Sequence, residues 1–162
     1  MPHIIRRNRN SVAVLTGDET PTEIAALGHD ILDYFGMGCR SVSKIFIPKG
    51  YEIKNFFEPI EQYQDIINHF KYNNNYDYNK SIYLVNGVKH FDNGFLLVKE
   101  DENFVSPLAV LFYEEYTSIN NVEEKDFIKR WLQVNENHPN LSANEKTEIL
   151  LKLNQAVAFE NY

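Results

Sequence analysis

Ser11-Val12-Ala13-Val14-Leu15-Thr16-Gly17-Asp18-Glu19-Thr20-Pro21-Thr22-Glu23 reads as a strand, a turn and a helix start in immediate succession, and that order decides the fold class. Ser11 to Thr16 is short, apolar and β-branched, and Gly17-Asp18 closes it with a turn signal. Thr20 then stands as a helix N-cap, Pro21 takes the first helical position, and Glu23 completes a capping box. Ile24, Leu27, Ile31, Leu32 and Phe35 recur at helical spacing and give this helix one buried face.

The alternation continues outward from there. Ser43-Lys44-Ile45-Phe46-Ile47 is a second strand, stopped by Pro48-Lys49-Gly50. From Phe56 to Phe70, the residues Phe57, Ile60, Tyr63, Ile66, Ile67 and Phe70 form a helical stripe that reads as core. The polar run Tyr72 to Lys80 reads as a loop, whose tyrosines either pack it tightly or, up to Tyr83, line a ligand path. Ser81 to Val85, Phe95 to Val98 and Leu108 to Tyr113 read as three further strands, with Asp92-Asn93-Gly94 as a turn. Strand-then-helix order and continuous apolar runs predict an α/β fold, a partly parallel sheet flanked by helices on both faces. Beyond Thr117 the pattern becomes helical. Val122 to Val134 carries Phe127, Ile128, Trp131 and Leu132 up to His138-Pro139, and Ser142-Ala143-Asn144-Glu145 opens a last helix with a capping box. The expected organisation is an α/β region over 1–116 and a helical C-terminal appendage over 117–162.

With 162 residues, 43% hydrophobic and 14% aromatic, the chain suits one globular domain or a piece of a larger one. A formal charge of −7 argues against nucleic-acid binding, and the one basic cluster, Arg6, Arg7 and Arg9, reads as a solvated strand end. A single cysteine permits no internal disulfide. No apolar run reaches the ~20 residues of a membrane span, and the opening residues lack a signal-peptide core, so a cytoplasmic protein is expected. His3, His29, His69, His90 and His138 show no ligand spacing, and no metal is expected. His29 lies ten residues before Cys39 and reads either as a base or as an exposed helix-edge residue. Neither GxGxxG nor GxxxxGK[ST] occurs, so the chain has no dinucleotide fingerprint of its own.

Cys39 ends the stretch Tyr34-Phe35-Gly36-Met37-Gly38-Cys39-Arg40. Two readings stand. The glycines permit close approach and Arg40 favours a thiolate, which suits a nucleophile; a lone cysteine is also commonly a small buried hydrophobe.

The runs Pro2 to Gly17, Tyr34 to Lys44, Asn74 to Lys80 and Asp92 to Leu97 resemble the LuxC-type acyl-CoA reductases of the aldehyde dehydrogenase superfamily, over residues 2 to 116. The resemblance implies an aldehyde dehydrogenase-type catalytic domain with Cys39 as catalytic nucleophile. It also implies a fatty acyl-CoA or other acyl-thioester substrate, and a cysteine-linked acyl-enzyme reduced by NADPH to a fatty aldehyde. Cysteine suits the step, because its free pKa of ~8.5 is readily lowered toward neutrality. Backbone N–H groups around Gly38 would stabilise the oxyanion, a contribution of ~3 kcal/mol. Asn10 and Ser11 stand where the superfamily has a Gly-Lys-Asn/Ser-Pro run bordering its active site. Glu102, in Glu102-Asn103-Phe104-Val105-Ser106-Pro107, matches the glutamate of a Glu-x-Phe-Gly-Pro run that touches the nicotinamide ribose.

The sequence departs from the superfamily in two places. The cofactor-binding half that normally precedes this segment, with its general-base glutamate, is absent, and the tail beyond Tyr116 does not resemble the family's end. Turnover would then need a cofactor-binding half or an acyl-transferring partner protein, and acylation without reduction is expected of this chain alone. A non-catalytic remnant or interaction module, capable of self-association, is the alternative. A cysteine peptidase is the poorest fit, since no histidine is placed to serve it.

Overall fold

The computed structural model describes residues 11–38 and 41–122. They fall into two compact units, one extending to Glu115 and one beginning at Tyr116. The helices expected after Val122 lie outside the described residues, as does the basic cluster Arg6, Arg7 and Arg9.

The strand, turn and helix that open the chain form as the sequence predicts. β1 is Ser11–Val14 and α1 is Pro21–Leu32. The Thr20 hydroxyl accepts from the Glu23 N–H at 3.3 Å, and the Glu23 carboxylate accepts from the Thr20 N–H at 2.7 Å. Such a box satisfies two N–H groups that the helix itself leaves unpaired, and an N-cap is typically worth ~1 kcal/mol. Ile24, Leu27, Ile31 and Leu32 are buried on one face, with Gly28 beside them.

β2, Val42–Pro48, is buried from Val42 to Ile47 without alternation, which means both faces of the strand are covered. α2, Ile53–Ile60, ends just after Pro59, and Glu61–Asn68 continues as a 3₁₀ helix. The single helix expected over 56–70 is therefore divided. Proline brings no N–H and crowds the preceding turn, and the chain tightens there.

α3, Phe70–Val85, overturns two expectations: the loop over 72–80 and the strand over 81–85 are one sixteen-residue helix. Its buried stripe is Tyr72, Tyr76, Asn79 and Tyr83, spaced four, three and four residues apart. Leu84 and Val85, the apolar residues that suggested a strand, are exposed. Tertiary contacts outweigh the poor helix propensity of Asn73, Asn74 and Asn75. The Tyr72 hydroxyl donates to the Phe95 carbonyl at 2.8 Å, Tyr76 to Asp92 at 2.6 Å, and the Asn79 amide to the Leu108 carbonyl at 3.0 Å.

β3, Phe91–Asp92, and β4, Leu97–Glu100, form an antiparallel hairpin across the expected Asp92-Asn93-Gly94 turn. The Asn93 side chain accepts from the Phe95 and Leu96 N–H groups, and Gly94 takes a φ of +95°. These bonds hold Phe95 and Leu96 in the turn, so the strand begins two residues later than the apolar run suggests. β5 is Val110–Tyr116. The sheet order is β1-β2-β5-β4-β3, with β1 parallel to β2 and β4 parallel to β5. The sheet is mostly parallel and helix-flanked, in line with the partly parallel α/β sheet that the strand-and-helix order predicts.

Candidate functional site

Cys39 and Asn10, two of the residues to which the sequence points, lie outside the described residues. Their described neighbours converge. The Ser41 N–H donates to the Gly38 carbonyl at 3.2 Å, so the chain on either side of positions 39 and 40 is drawn together. The Ser11 N–H donates to the Ser41 carbonyl at 3.0 Å, which brings the start of β1 to the same place. A Cβ at Gly38 would lie 3.2 Å from the Ser41 hydroxyl, closer than most side chains tolerate, and 3.4 Å from the Tyr34 ring.

The approach to this turn is strained. Tyr34 and Phe35 take φ values of 52° and 58°, and Gly36 follows at 74°. Left-handed backbone costs a non-glycine residue roughly 1–2 kcal/mol. Two contacts hold it: the Met37 N–H donates to the Tyr34 carbonyl at 3.0 Å, and the Phe35 ring stacks on His69 with centroids 3.9 Å apart.

Beside the turn is a cavity of about 60 Å³. Phe35 and Gly36 wall it before positions 39 and 40, and Val42 and Ser43 after them. Tyr72 and Leu96 close another side, and the crossover between β4 and β5 supplies Ser106 to Val110. Tyr72, read from sequence as part of a loop, thus reaches the cavity from a helix. It is 1% exposed, and burial, with Tyr76 adding to it, holds its phenol well above the usual range.

The crossover is tied down from several directions. Lys99 pairs with Asp101 at 2.7 Å. Although burial opposes ionisation of Asp101, this ammonium and the Asn103 N–H prevail and keep its pKa below the ordinary value. The Ser43 hydroxyl donates to the Phe104 carbonyl. Lys44, entirely buried, donates to the Asp101 carbonyl and to Glu114, each at 2.8 Å, and lies about 5 Å from the ring centres of Phe46 and Phe104. Sequence reading passed over both Ser43 and Lys44, because in a strand they look like ordinary fillers.

Glu102 is exposed on the crossover. The N-terminus of α1 does not fit the phosphates of NADPH. The α1 N-terminus, where a phosphate would be expected to sit, is occupied by the Thr20 and Glu23 side chains, with Glu19 capping the preceding turn. His29 is exposed and pairs with Asp33 at 3.2 Å, which fits a helix-edge residue. Among the described residues no group of three His, Cys, Asp or Glu is placed to hold a metal, and no helix is long and apolar enough to cross a membrane.

No protein-family profile and no curated protein matches this chain. Among solved structures it is similar to the Δ-pyrroline-5-carboxylate dehydrogenase from Mycobacterium tuberculosis, at 16% identity and a TM-score of 0.43, over 72% of this chain and 26% of that one. The same enzyme bound with NAD is similar at 16% identity and a TM-score of 0.43, over 75% and 27%. The chain spans about a quarter of the length of these solved chains.

Proposed function

We propose that this chain carries the acyl-accepting region of an acyl-CoA reductase of the LuxC type, a cytoplasmic oxidoreductase of the aldehyde dehydrogenase superfamily, with Cys39 as its nucleophile. The observation that carries the reading is the cavity: the segments on both sides of Cys39, Phe35-Gly36 and Val42-Ser43, wall it together with the crossover. At about 60 Å³ the cavity has room for the first carbons beside the thioester carbonyl and not for a fatty chain, and the resemblance around Tyr34 to Lys44 supplies the chemistry.

In this reading the Cys39 thiolate attacks the thioester carbonyl. A new sulfur–carbon bond forms, the bond to coenzyme A breaks, and coenzyme A leaves as a thiolate that takes up a proton. Charge develops on the carbonyl oxygen. Backbone N–H groups near Gly38 would stabilise that charge, and those of Ser11 and Ser41 are already bonded to the Ser41 and Gly38 carbonyls. Because the α1 N-terminus does not fit the phosphates of NADPH, no reducing step is assigned to the described residues. Reduction belongs to a cofactor-binding half supplied elsewhere in the protein or by a partner.

The test follows release of free coenzyme A thiol on mixing the chain with a fatty acyl-CoA. One equivalent per chain, absent in Cys39→Ala, is the expected result; no release from a folded sample would refute the reading. The competing reading is a non-catalytic interaction module. It is favoured by the exposure of Tyr34 and Met37, 79% and 69%, beside the same turn.

A further inference from the structure

Ser43 and Lys44 are consecutive on β2, and consecutive strand residues face opposite sides of a sheet. Yet both hold one segment of the crossover: Ser43 through the Phe104 carbonyl, Lys44 through the Asp101 carbonyl at 2.8 Å. The register explains how. Ser11 pairs with Val42 and Val12 with Lys44, so two steps on β2 match one step on β1, and Ser43 is the extra residue of a bulge. Bulges are rare between parallel strands, and they re-aim side chains, often next to active sites. Here the bulge falls two residues after the glycine–serine turn and at a residue that lines the cavity. The segment it grips leads directly into Ser106 and Pro107, which line the same cavity.

We infer that Ser43 and Lys44 are positioning residues that set the width of the acyl cavity by fixing the crossover to the strand that begins at the nucleophile turn. The inference rests on the acylation reading above. Lys44 supplies the buried anchor. Ser43 supplies the short tether closest to the cavity, so loss of its hydroxyl alone should let the wall move while the sheet stays intact.

Threonine and valine have nearly the same shape and differ in the hydroxyl, so Ser43→Thr and Ser43→Val separate tethering from packing. For the whole chain and both variants, three quantities are measured: acylation of Cys39 by an acyl-CoA over a range of concentrations, alkylation by iodoacetamide, and thermal midpoint. The expected result is acylation in Ser43→Val about fivefold to tenfold below that in Ser43→Thr, as loss of one hydrogen bond of about 1 kcal/mol would give, with alkylation equal in both. Equal acylation in the two variants overturns the inference. Acylation and alkylation falling together with the midpoint also overturns it, since that is a merely structural effect. An unsubstituted chain that alkylates but does not acylate overturns the acylation reading itself, and the inference with it.

Discussion

The Lys44 ammonium lies 2.8 Å from the Glu114 carboxylate inside the sheet, its side chain fully buried and that of Glu114 12% exposed. β2 and β5 are neighbours, so the pair ties together two adjacent strands, and the Asp101 carbonyl joins it from the crossover. Taking a charge this far from water is expensive, and removing one partner leaves the other poorly compensated.

Lys44→Met is therefore expected to lower unfolding stability by about 3 kcal/mol, and the double variant with Glu114→Leu by clearly less than the two single losses combined. Urea denaturation of the four chains checks this. Additive losses would show that the two residues act independently.

Gly28→Ala is expected to destabilise, although alanine is the better helix former by about 1 kcal/mol. A Cβ at position 28 would come within 2.6 Å of the Tyr63 ring and 2.9 Å of the Ile60 side chain. The ring cannot swing away freely, because its hydroxyl is bonded to the Ala25 carbonyl at 2.7 Å. Overpacking of this kind costs about 1–3 kcal/mol, and a net loss near 1 kcal/mol should appear in thermal melts. Combining it with Tyr63→Leu should recover part of that loss.

Acid should loosen the contact between α3 and the β3–β4 hairpin. Burial opposes ionisation of Asp92, but hydrogen bonds from Lys80, Tyr76 and the Gly94 N–H outweigh it and hold the pKa below its ordinary 3.8. A depressed carboxyl contributes stability that is present above its unfolded pKa and lost as pH falls through its folded value. Lys80 is shifted upward, chiefly by its hydrogen bond to Asp92, and its contribution is lost only as pH rises through that elevated value. Tyr76, raised mainly by burial and then by its bond to Asp92, reaches about 12 and stays neutral throughout. Stability should therefore fall as the pH drops below about 4, and Asp92→Asn should flatten that limb. An unchanged slope in the variant would place the acid sensitivity elsewhere.

Tyr72→Phe removes the hydroxyl that donates to the Phe95 carbonyl at the cavity wall. The residue is 1% exposed, so water cannot readily replace that bond, and a loss of about 1–2 kcal/mol in chemical denaturation is expected. A variant as stable as the parent would mean that the carbonyl finds another donor.

Much of the fold can be read from residues whose effect is local. Thr20, Pro21 and Glu23 announce α1 because capping needs only neighbours, and the apolar run of β2 announces a strand covered on both sides. α3 is hidden because its buried face is made of Tyr72, Tyr76, Asn79 and Tyr83, whose polar ends are satisfied by partners distant in sequence. Leu84 and Val85 mislead for the complementary reason: they are apolar yet face outward. At the candidate site, the Gly36-Met37-Gly38 run signals an unusual turn. Nothing local reveals that Ser43 is a bulge residue or that Lys44 is a buried anchor. Both facts depend on β1 and on a crossover some sixty residues away.

The most direct measurement is intact mass spectrometry of the chain after incubation with a fatty acyl-CoA, followed by tryptic mapping. The account predicts a mass increase of one acyl group, reversed by hydroxylamine, located on the peptide spanning residues 10–40 and absent in Cys39→Ala. A folded chain that gains no acyl group, or gains it at another residue, would contradict the claim that Cys39 is the acyl acceptor.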